Sequence, residues 1–407
     1  MVYSIAVVPR LKEQRMNQSS KYWLLRTAAL MAGVMALSGL ALGATQYVIT
    51  NDDLPYPFGT GISVYTVEAG GALSSPHQIK TLGFGIGGGF FGANRISVLN
   101  GGGQQCVFAS SAATGEIVGV AINTLTVGGS ATGSPTDLGT TNGIGMVMNG
   151  QYLYASFTDT NTIGTFAVQS GCSLSFINDV SVVGLAGGVI NGMAIHGNMM
   201  IATYTDGSIQ SFNISAGAPV SNGDEQYATS TLNSMDATYP NSIDITSDGH
   251  YAIFGDTSTS VVVEVSDISS GRLTPTVLYT ANKSISSSNI MLSPDETVLY
   301  VANTQGATVS AYFFNAATGV LSGGCKSKTV SGQSANWSYL AGLGFPSQTG
   351  NGDGVYVAEF GGTSGIALVS LTVKGQTCSM QEVKGSPFTD PNSLGLLSIG
   401  TFPPRSF

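Results

Sequence analysis

The side chains of this chain that could do chemistry are mostly carboxylates and asparagines, accompanied by few basic groups. Carboxylate and amide oxygens bind calcium and similar divalent ions, and they also hydrogen-bond to neutral sugars and to cationic groups. The alternative is structural, because asparagine commonly satisfies backbone groups where a loop enters a strand. The candidate ligand-binding residues are Asn94, Arg95, Asn142, Asn241, Asp256 and Glu359.

The elements that must position these residues are short strands, seen most clearly between Leu292 and Gly323. Ser293-Pro294-Asp295-Glu296 predicts a turn, because proline presets φ and aspartate hydrogen-bonds to its own backbone. The segments 298–303 and 309–314 are rich in β-branched and aromatic residues and predict two strands, followed by a turn into Leu321. Such short, regularly spaced strands are typical of sandwiches, barrels and propellers.

Recurrence of this unit decides between those folds. The second strand has an aromatic or apolar anchor residue, and a hairpin glycine follows it by 16 to 19 residues in five of the repeats. Periods near 50 residues with strand content predict four-stranded propeller blades. The anchors, Tyr47, Phe108, Tyr154, Ile201, Ile253, Tyr300 and Tyr356, predict seven blades in an all-β propeller.

The two ends of the array predict how the ring closes. The unit at Tyr47 lacks its innermost strand, and the segment 391–399 reads as an innermost strand with nothing after it. Pairing the two in one blade would leave no long unpaired edge. Residues 44–407 are therefore interpreted as a single propeller domain.

In this map, the hairpins between second and third strands and the links between blades form one face, here called the upper face. Asparagine opens the innermost strands there, so its side chains could form a polar collar around the channel. The collar positions are Asn94, Asn142, Asn191, Asn241, Asn336 and Asn392, with Ser288 or Asn289 in the sixth blade.

The three histidines lie away from the upper face. His77 falls on an outer strand, His196 ends an inner strand, and His250 sits in an inner hairpin. General-base catalysis by an imidazole at the upper face is therefore not expected.

The charge of the chain limits its partners. Residues 1–43 contain five of the 14 Lys and Arg and one of the 23 Asp and Glu, which leaves nine basic and 22 acidic residues. Such an acidic domain is a poor candidate for binding nucleic acid. The map places nine carboxylates on the upper face, so a phosphorylated ligand is not expected either: Asp52, Asp53, Asp137, Asp159, Asp206, Asp236, Asp256, Glu359 and Asp390, against Arg95 and Lys283.

Residues 1–43 read as a secretory signal peptide. Five basic residues precede an apolar run over 28–44, which ends in small residues around Gly43. The alternative, a membrane anchor, is disfavoured because the run is short and half of it is Ala and Gly. We therefore predict an exported protein, periplasmic or extracellular, with no membrane span after cleavage.

Four cysteines follow the signal segment, and an even number in an oxidising compartment allows two disulfides. Cys325 and Cys378 occupy equivalent positions in neighbouring blades and are the favoured pair. Free thiols remain the alternative, because pairing requires Cα atoms within about 7 Å. No cysteine or histidine spacing predicts a zinc site.

Two segments, ITSDGHYAIFGDTSTSVVVEVSDISSGRL and LSPDETVLYVANTQGATVSAYFFNAATGVL, resemble the lactonase-type seven-bladed propellers. That family includes bacterial 6-phosphogluconolactonase and fungal carboxymuconate-cyclising enzymes, and it overlaps the Tyr-Val-Thr-Asn surface repeats. The resemblance implies a catalytic site of His, Arg and Glu around the channel. The corresponding strand entries here, 240–242 and 287–289, contain no histidine.

The sequence therefore favours an exported propeller that binds a neutral or cationic small molecule, a glycan or a protein at its upper face. The alternative is a lactonase that hydrolyses a neutral sugar lactone or a similar ester, with or without the assistance of a metal. No cofactor is expected, although a divalent cation such as calcium would suit the oxygen ligands.

Overall fold

Short antiparallel strands joined by tight turns make up this computed structural model. The structure describes residues 45–52, 61–81, 83, 85, 94–132, 145–227, 240–256, 263–268, 270–271, 273–276, 287–303, 306–332, 339–345, 354–360, 365–374, 377–389 and 395–404. Residues 1–43, the predicted signal peptide, lie outside them. Within the described residues, no helix has the length and apolarity needed to span a membrane.

The first three blades contain the following strands. Blade 1 is built from β1 (Tyr47–Asp52), β2 (Gly61–Thr66) and β3 (His77–Lys80). Blade 2 is built from β4 (Ile96–Gly101), β5 (Gln104–Ser111), β6 (Glu116–Ala121) and β7 (Thr126–Thr132). Blade 3 is built from β8 (Met146–Asn149), β9 (Tyr152–Phe157), β10 (Thr162–Val168) and β11 (Leu174–Ser181).

The remaining strands complete the ring. Blade 4 contains β12 (Ile190–His196), β13 (Met199–Tyr204), β14 (Ser208–Asn213), β15 (Val220–Ser221) and β16 (Gln226–Tyr227). Blade 5 contains β17 (Pro240–Ile245), β18 (Tyr251–Asp256), β19 (Val263–Asp267) and β20 (Thr274–Thr276). Blade 6 contains β21 (Ser287–Leu292), β22 (Val298–Asn303), β23 (Thr308–Asn315) and β24 (Val320–Thr329). Blade 7 contains β25 (Tyr339–Gly344), β26 (Gly354–Phe360), β27 (Gly365–Lys374), β28 (Thr377–Glu382) and β29 (Phe388–Thr389), and β30 (Leu396–Phe402) completes blade 1.

The predicted seven-bladed, all-β propeller is confirmed. Each of the seven anchor residues lies in the second strand of its blade. The hairpin predicted at residues 293–296 is present: Ser293 Oγ donates to Asp295 Oδ1 (2.6 Å) and accepts from Val298 N (3.0 Å). Thr246 makes the same pair of bonds with Asp248 and Tyr251 N in blade 5, so a hydroxyl and an aspartate two residues later fix this turn in both blades.

Strand β30 closes the ring by pairing antiparallel with β1, from Tyr47 opposite Phe402 to Asp52 opposite Leu396. The predicted pairing is confirmed, but the predicted bounds of 391–399 are wrong, because the strand runs to Phe402. The ring of Phe402 packs 6.2 Å from that of Tyr47, which extends the pairing beyond Ile399. Residues 391–394 lie outside the described part of the chain.

Two of the anchor tyrosines donate hydrogen bonds to turn glycines of the next blade. Tyr154 Oη in blade 3 donates to the carbonyl oxygen of Gly217 in blade 4 (2.7 Å). Tyr356 Oη in blade 7 donates to the carbonyl oxygen of Gly71 in blade 1 (2.6 Å). Burial raises the pKa of Tyr154 to about 12, so the phenol remains a donor at any physiological pH.

At the interface of blades 2 and 3 the anchor residue is Phe108, which cannot donate such a hydrogen bond. A disulfide joins these two blades. Cys106 and Cys172 are bridged, with their Cα atoms 5.6 Å apart. The backbone of blade 3 also approaches blade 2 closely. A Cβ atom added to Gly119 would lie 1.8 Å from the carbonyl oxygen of Cys172, so glycine is required there. Strands β7 and β11 pair in parallel beside this contact, joining the two blades into one sheet.

A second disulfide links blades 6 and 7. Cys325 in β24 and Cys378 in β28 are bridged, with their Cα atoms 5.1 Å apart. This is the pair that the sequence analysis favoured. Each disulfide therefore joins two neighbouring blades.

Candidate functional site

The innermost strands of all seven blades line a central channel that contains a cavity of about 260 Å³. Its walls are largely aliphatic and include four methionines: Met146, Met148, Met193 and Met291. Few of the lining residues are polar; among them, Asn94 and Asn289 stand near the start of their strands. The channel wall is therefore largely apolar, with two amide side chains at its upper end.

A β-bulge recurs at that upper end. In β12, β17, β21, β25 and β30, one extra residue is inserted opposite the second strand of the blade. A bulge bends the strand and changes the direction of its side chains, and bulges are frequent next to binding sites. The extra residues are Asn191, Asn241, Ser288, Ala341 and Leu397.

The predicted asparagine collar therefore divides into two kinds of position. Asn94 and Asn289 line the cavity. Asn191 and Asn241 are bulge residues, which agrees with the structural alternative for asparagine at a strand entry. Asn142, Asn336 and Asn392 lie outside the described residues.

A buried polar cluster adjoins the upper end of the channel around β30. The backbone N–H of Arg95, at the entry to β4, donates to Ser398 Oγ in β30 (2.9 Å). Arg95 is 1% exposed, and the residues on either side of it, Asn94 and Ile96, line the cavity. A guanidinium remains charged at this depth and offers five N–H donors.

Two buried carboxylates end the neighbouring second strands at the same height. Asp52 ends β1 in blade 1, and Glu359 is the penultimate residue of β26 in blade 7. Both strands contact β30. Asp52 pairs with Leu396 in β30, and Glu359 pairs with Leu340 in β25, in each case beside the bulge of the innermost strand. The two carboxylates therefore occupy equivalent positions in neighbouring blades.

The side chain of Asn51 is the least expected member of this cluster. Asn51 pairs with Ser398 and is 1% exposed, yet neither its Oδ1 nor its Nδ2 has a hydrogen-bond partner among the described residues. The hydroxyl of the adjacent Thr50 is in the same situation. Buried polar atoms without partners are rare and costly, so such a group marks a place where a ligand or water can bind.

Of the six predicted ligand-binding residues, Arg95 and Glu359 are buried near the upper ends of elements around β30, and Asn94 lines the cavity. Asn241 and Asp256 belong to paired strands, β17 and β18, and Asn142 lies outside the described residues. Asp52 is one of the predicted upper-face acids but not one of the six candidates. Neither Asn51 nor Ser398 is predicted, because YVITND reads as an ordinary strand. The available signal was the predicted pairing of this strand with the closing strand.

Asp206, another predicted upper-face acid, has a structural role. Its carboxylate accepts hydrogen bonds from Ala186 N (2.7 Å), Gly188 N (3.1 Å), and Ser208 N and Oγ (3.0 and 2.6 Å). Burial alone would raise the pKa of Asp206, but these four bonds, of which that from Ser208 Oγ is the strongest, lower it below the ordinary value. Asp206 therefore holds the link between blades 3 and 4.

The histidines occupy the places that the sequence indicated: His77 in β3, His196 at the end of β12, and His250 in the hairpin that joins β17 to β18. Over the described part of the chain, no three His, Cys, Asp or Glu side chains come together in an arrangement able to hold a metal ion. Asp53, Asp137, Asp236, Asp390 and Lys283 lie outside that part.

Comparison with known proteins finds one matching family and several solved structures with the same fold. The model of the family described as "Lactonase, 7-bladed beta-propeller" matches residues 110–386. A Bacteroides fragilis protein proposed to be a 6-phosphogluconolactonase superposes with a TM-score of 0.66 at 13% identity, over 89% of this chain and 99% of that one. The periplasmic gluconolactonase of Pseudomonas aeruginosa gives 0.63 at 12% identity, over 88% and 99%. No curated protein sequence matches this chain.

Proposed function

Because the chain belongs to the family of seven-bladed propeller lactonases, we propose that it hydrolyses a neutral lactone at the upper end of its channel. This was the alternative in the sequence analysis, and family membership favours it over a non-catalytic binding module. The observation that carries the proposal is the group of buried polar residues near the upper ends of the strands around β30: Arg95, Asp52 and Glu359, with the unpartnered amide of Asn51 opposite Ser398.

These residues can supply what lactone hydrolysis requires. A water molecule attacks the carbonyl carbon, the ring C–O bond breaks, and the product is a hydroxy acid. Glu359 or Asp52 takes a proton from the water and returns it to the ring oxygen, which does not require an imidazole. Arg95 and the Asn51 amide stabilise the negative charge that develops on the carbonyl oxygen, in a buried environment where such contacts are strong.

Charge favours a neutral substrate over a phosphorylated one. The cluster holds two carboxylates and one guanidinium, and Asp159 and Asp206 add two further carboxylates to the described part of the upper face. A phosphate dianion needs several positioned cations or helix N-termini, which this cluster does not provide. We therefore place 6-phosphogluconolactone outside the preferred substrates.

We propose that the protein acts outside the cytoplasm. The basic and apolar segment at 1–43 and the two disulfides support export, and the Pseudomonas aeruginosa neighbour is itself described as periplasmic. Neutral lactones, rather than sugar phosphates, are the substrates available to an exported enzyme.

The test is hydrolysis of glucono-δ-lactone and simple δ-lactones, measured by the acid released at constant pH. Glu359→Gln and Asp52→Asn keep side-chain shape but remove the base, so we expect one of them to lower kcat by about 100-fold or more. Asp179→Asn, on the exposed side of β11, is the matched control and should not change kcat.

Asn51→Leu separates a catalytic role from a structural one. Replacing an unpartnered buried amide with an apolar group of similar size should leave stability unchanged or raise it. If Asn51 binds the lactone carbonyl, kcat/KM falls at the same time, by about tenfold or more. Turnover no faster than the spontaneous rate for every neutral lactone would overturn the enzymatic proposal and favour the binding module. Activity that EDTA abolishes and calcium restores would instead indicate a metal-assisted reaction.

A further inference from the structure

The central cavity has no role in the chemistry proposed above, and its walls do not suit a sugar. Ile195, Ile243, Met291 and Ile399 are partly exposed to it, although side chains of this kind are ordinarily buried inside a protein. A polyhydroxylated ring would leave most of its hydroxyl groups without partners in such a space. An apolar occupant would bury these side chains without that cost.

We propose that this cavity binds the alkyl chain of the substrate, so that the preferred substrate is an alkyl-substituted lactone rather than a sugar lactone. The choice of a lactone head group rests on the proposed function; the alkyl-binding role of the cavity does not. The upper end of the cavity adjoins Arg95 through Asn94 and Ile96, so a chain in the cavity would place its polar head at the buried cluster.

The lining charges agree with a neutral ligand. Asp244 is a carboxylate among the lining residues, and it is engaged by backbone groups: Oδ1 accepts from Ile245 N (2.9 Å) and Oδ2 from Leu292 N (2.8 Å). Neither lysine nor arginine is found among the described lining residues. A fatty acid carboxylate would therefore meet repulsion, whereas an uncharged ester would not.

One buried hydroxyl supplies a specific polar contact. Ser242 lines the cavity directly after the bulge at Asn241 and is 4% exposed. Its Oγ has no hydrogen-bond partner among the described residues. It can donate one bond to a carbonyl or ester oxygen, which is the polarity expected for a site that takes an apolar chain with a single acceptor.

The cavity volume limits the length of the chain. An engineered cavity of about 150 Å³ binds benzene, so a cavity of 260 Å³ has room for a chain on the order of eight to ten carbons. Each methylene buried there should tighten binding about fourfold. Affinity should stop increasing with chain length once the chain fills the cavity.

The experiment uses two homologous series on the full protein: δ-lactones with lengthening alkyl chains, followed by turnover, and 2-alkanones, followed by calorimetric titration. The ketones have the chain and the carbonyl but no ester bond, so their binding does not depend on catalysis. We expect KM for the lactones and Kd for the ketones to fall by about fourfold per methylene, up to about ten carbons.

Three variants locate the site. Val98→Phe and Ile243→Phe add bulk to opposite walls and should each abolish the dependence on chain length, and either suffices if the other fails to fold. Ser242→Ala should weaken ketone binding by about fivefold, the loss of one hydrogen bond. Val220→Phe makes the same change at an exposed position of β15 and is the control.

The outcomes separate the two proposals. Ketones that bind with chain-length dependence, without lactone turnover, support the cavity and refute the catalytic proposal. Turnover of gluconolactone together with ketone affinities that do not change with length refutes the cavity proposal alone. Chain-length dependence that persists unchanged in both folded phenylalanine variants also refutes it, because the chain would then bind elsewhere.

Discussion

Substitution of Gly119 tests how closely blades 2 and 3 are packed. Gly119 lies in β6, and an alanine Cβ there would lie 1.8 Å from the carbonyl oxygen of Cys172 and 3.1 Å from the ring of Phe108. An ordinary contact begins near 3.4 Å. The carbonyl belongs to a backbone held by the Cys106–Cys172 disulfide, so it cannot simply rotate away. The two blades must therefore separate by more than 1 Å.

Overpacking a core typically lowers the free energy of unfolding by about 1–3 kcal/mol, and we expect about 3 kcal/mol here because the clash is with backbone. Unfolding entropy of about 2.1 cal/mol/K per residue over Gln46–Phe407 gives roughly 0.8 kcal/mol/K. Gly119→Ala should therefore lower Tm by about 4 °C, and it should lower the denaturant midpoint in proportion.

Gly101→Ala is the matched control, because no atom lies within 4 Å of its added Cβ and its φ is not in the left-handed region. Its Tm should remain within about 1 °C of the parent protein. Equal Tm values for the two variants, measured by circular dichroism and calorimetry, would refute the close approach of the two blades.

Three further predictions concern bonds between elements. Tyr154→Phe removes the hydrogen bond to Gly217 O and should cost about 1–2 kcal/mol in denaturant unfolding, whereas Tyr152→Phe, 39% exposed on the same strand, should cost almost nothing. Replacing both Cys325 and Cys378 with serine opens a loop of 53 residues and should lower the free energy of unfolding by about 4 kcal/mol through chain entropy. A parent protein that is equally stable before and after reduction would contradict this. The pKa of Asp206 is lowered in the folded protein, so its carboxylate contributes stability above pH 3.8, and this stability is lost as pH falls through the folded-state pKa. The stability difference between the parent and Asp206→Asn should therefore shrink below pH 3.8. A difference that does not change with pH would contradict this.

The blade count could be predicted because an aromatic or apolar anchor residue recurs in the second strand of every blade. The Ser/Thr-x-Asp turn repeats in blades 5 and 6, and its hydrogen bonds are made within the turn itself. Both signals are local in the sequence. The asparagine at strand entries was recognised for the same reason, and two of those asparagines are bulge residues.

The buried cluster could not be predicted as a unit, because its members come from three blades. Asn51 and Ser398 are opposite each other only after the first and last strands have paired. The burial of Glu359 likewise depends on how β26 packs against β30. Sequence spacing contains no information about such contacts, whereas charge and residue type alone made Arg95 and Glu359 candidates.

Ring closure also has a consequence for the order in which the molecule can form. Tyr47 and Phe402 are partners in one strand pair, although almost the whole chain separates them. Contacts with such a long separation in sequence are the slowest to form. Blades 2 to 7 can assemble in order as the polypeptide is synthesised, but blade 1 must wait for the final strand. Until then β1 has an open edge, and the polar cluster around Ser398 does not yet exist. Completion of the fold and assembly of the candidate site are therefore one and the same late kinetic event.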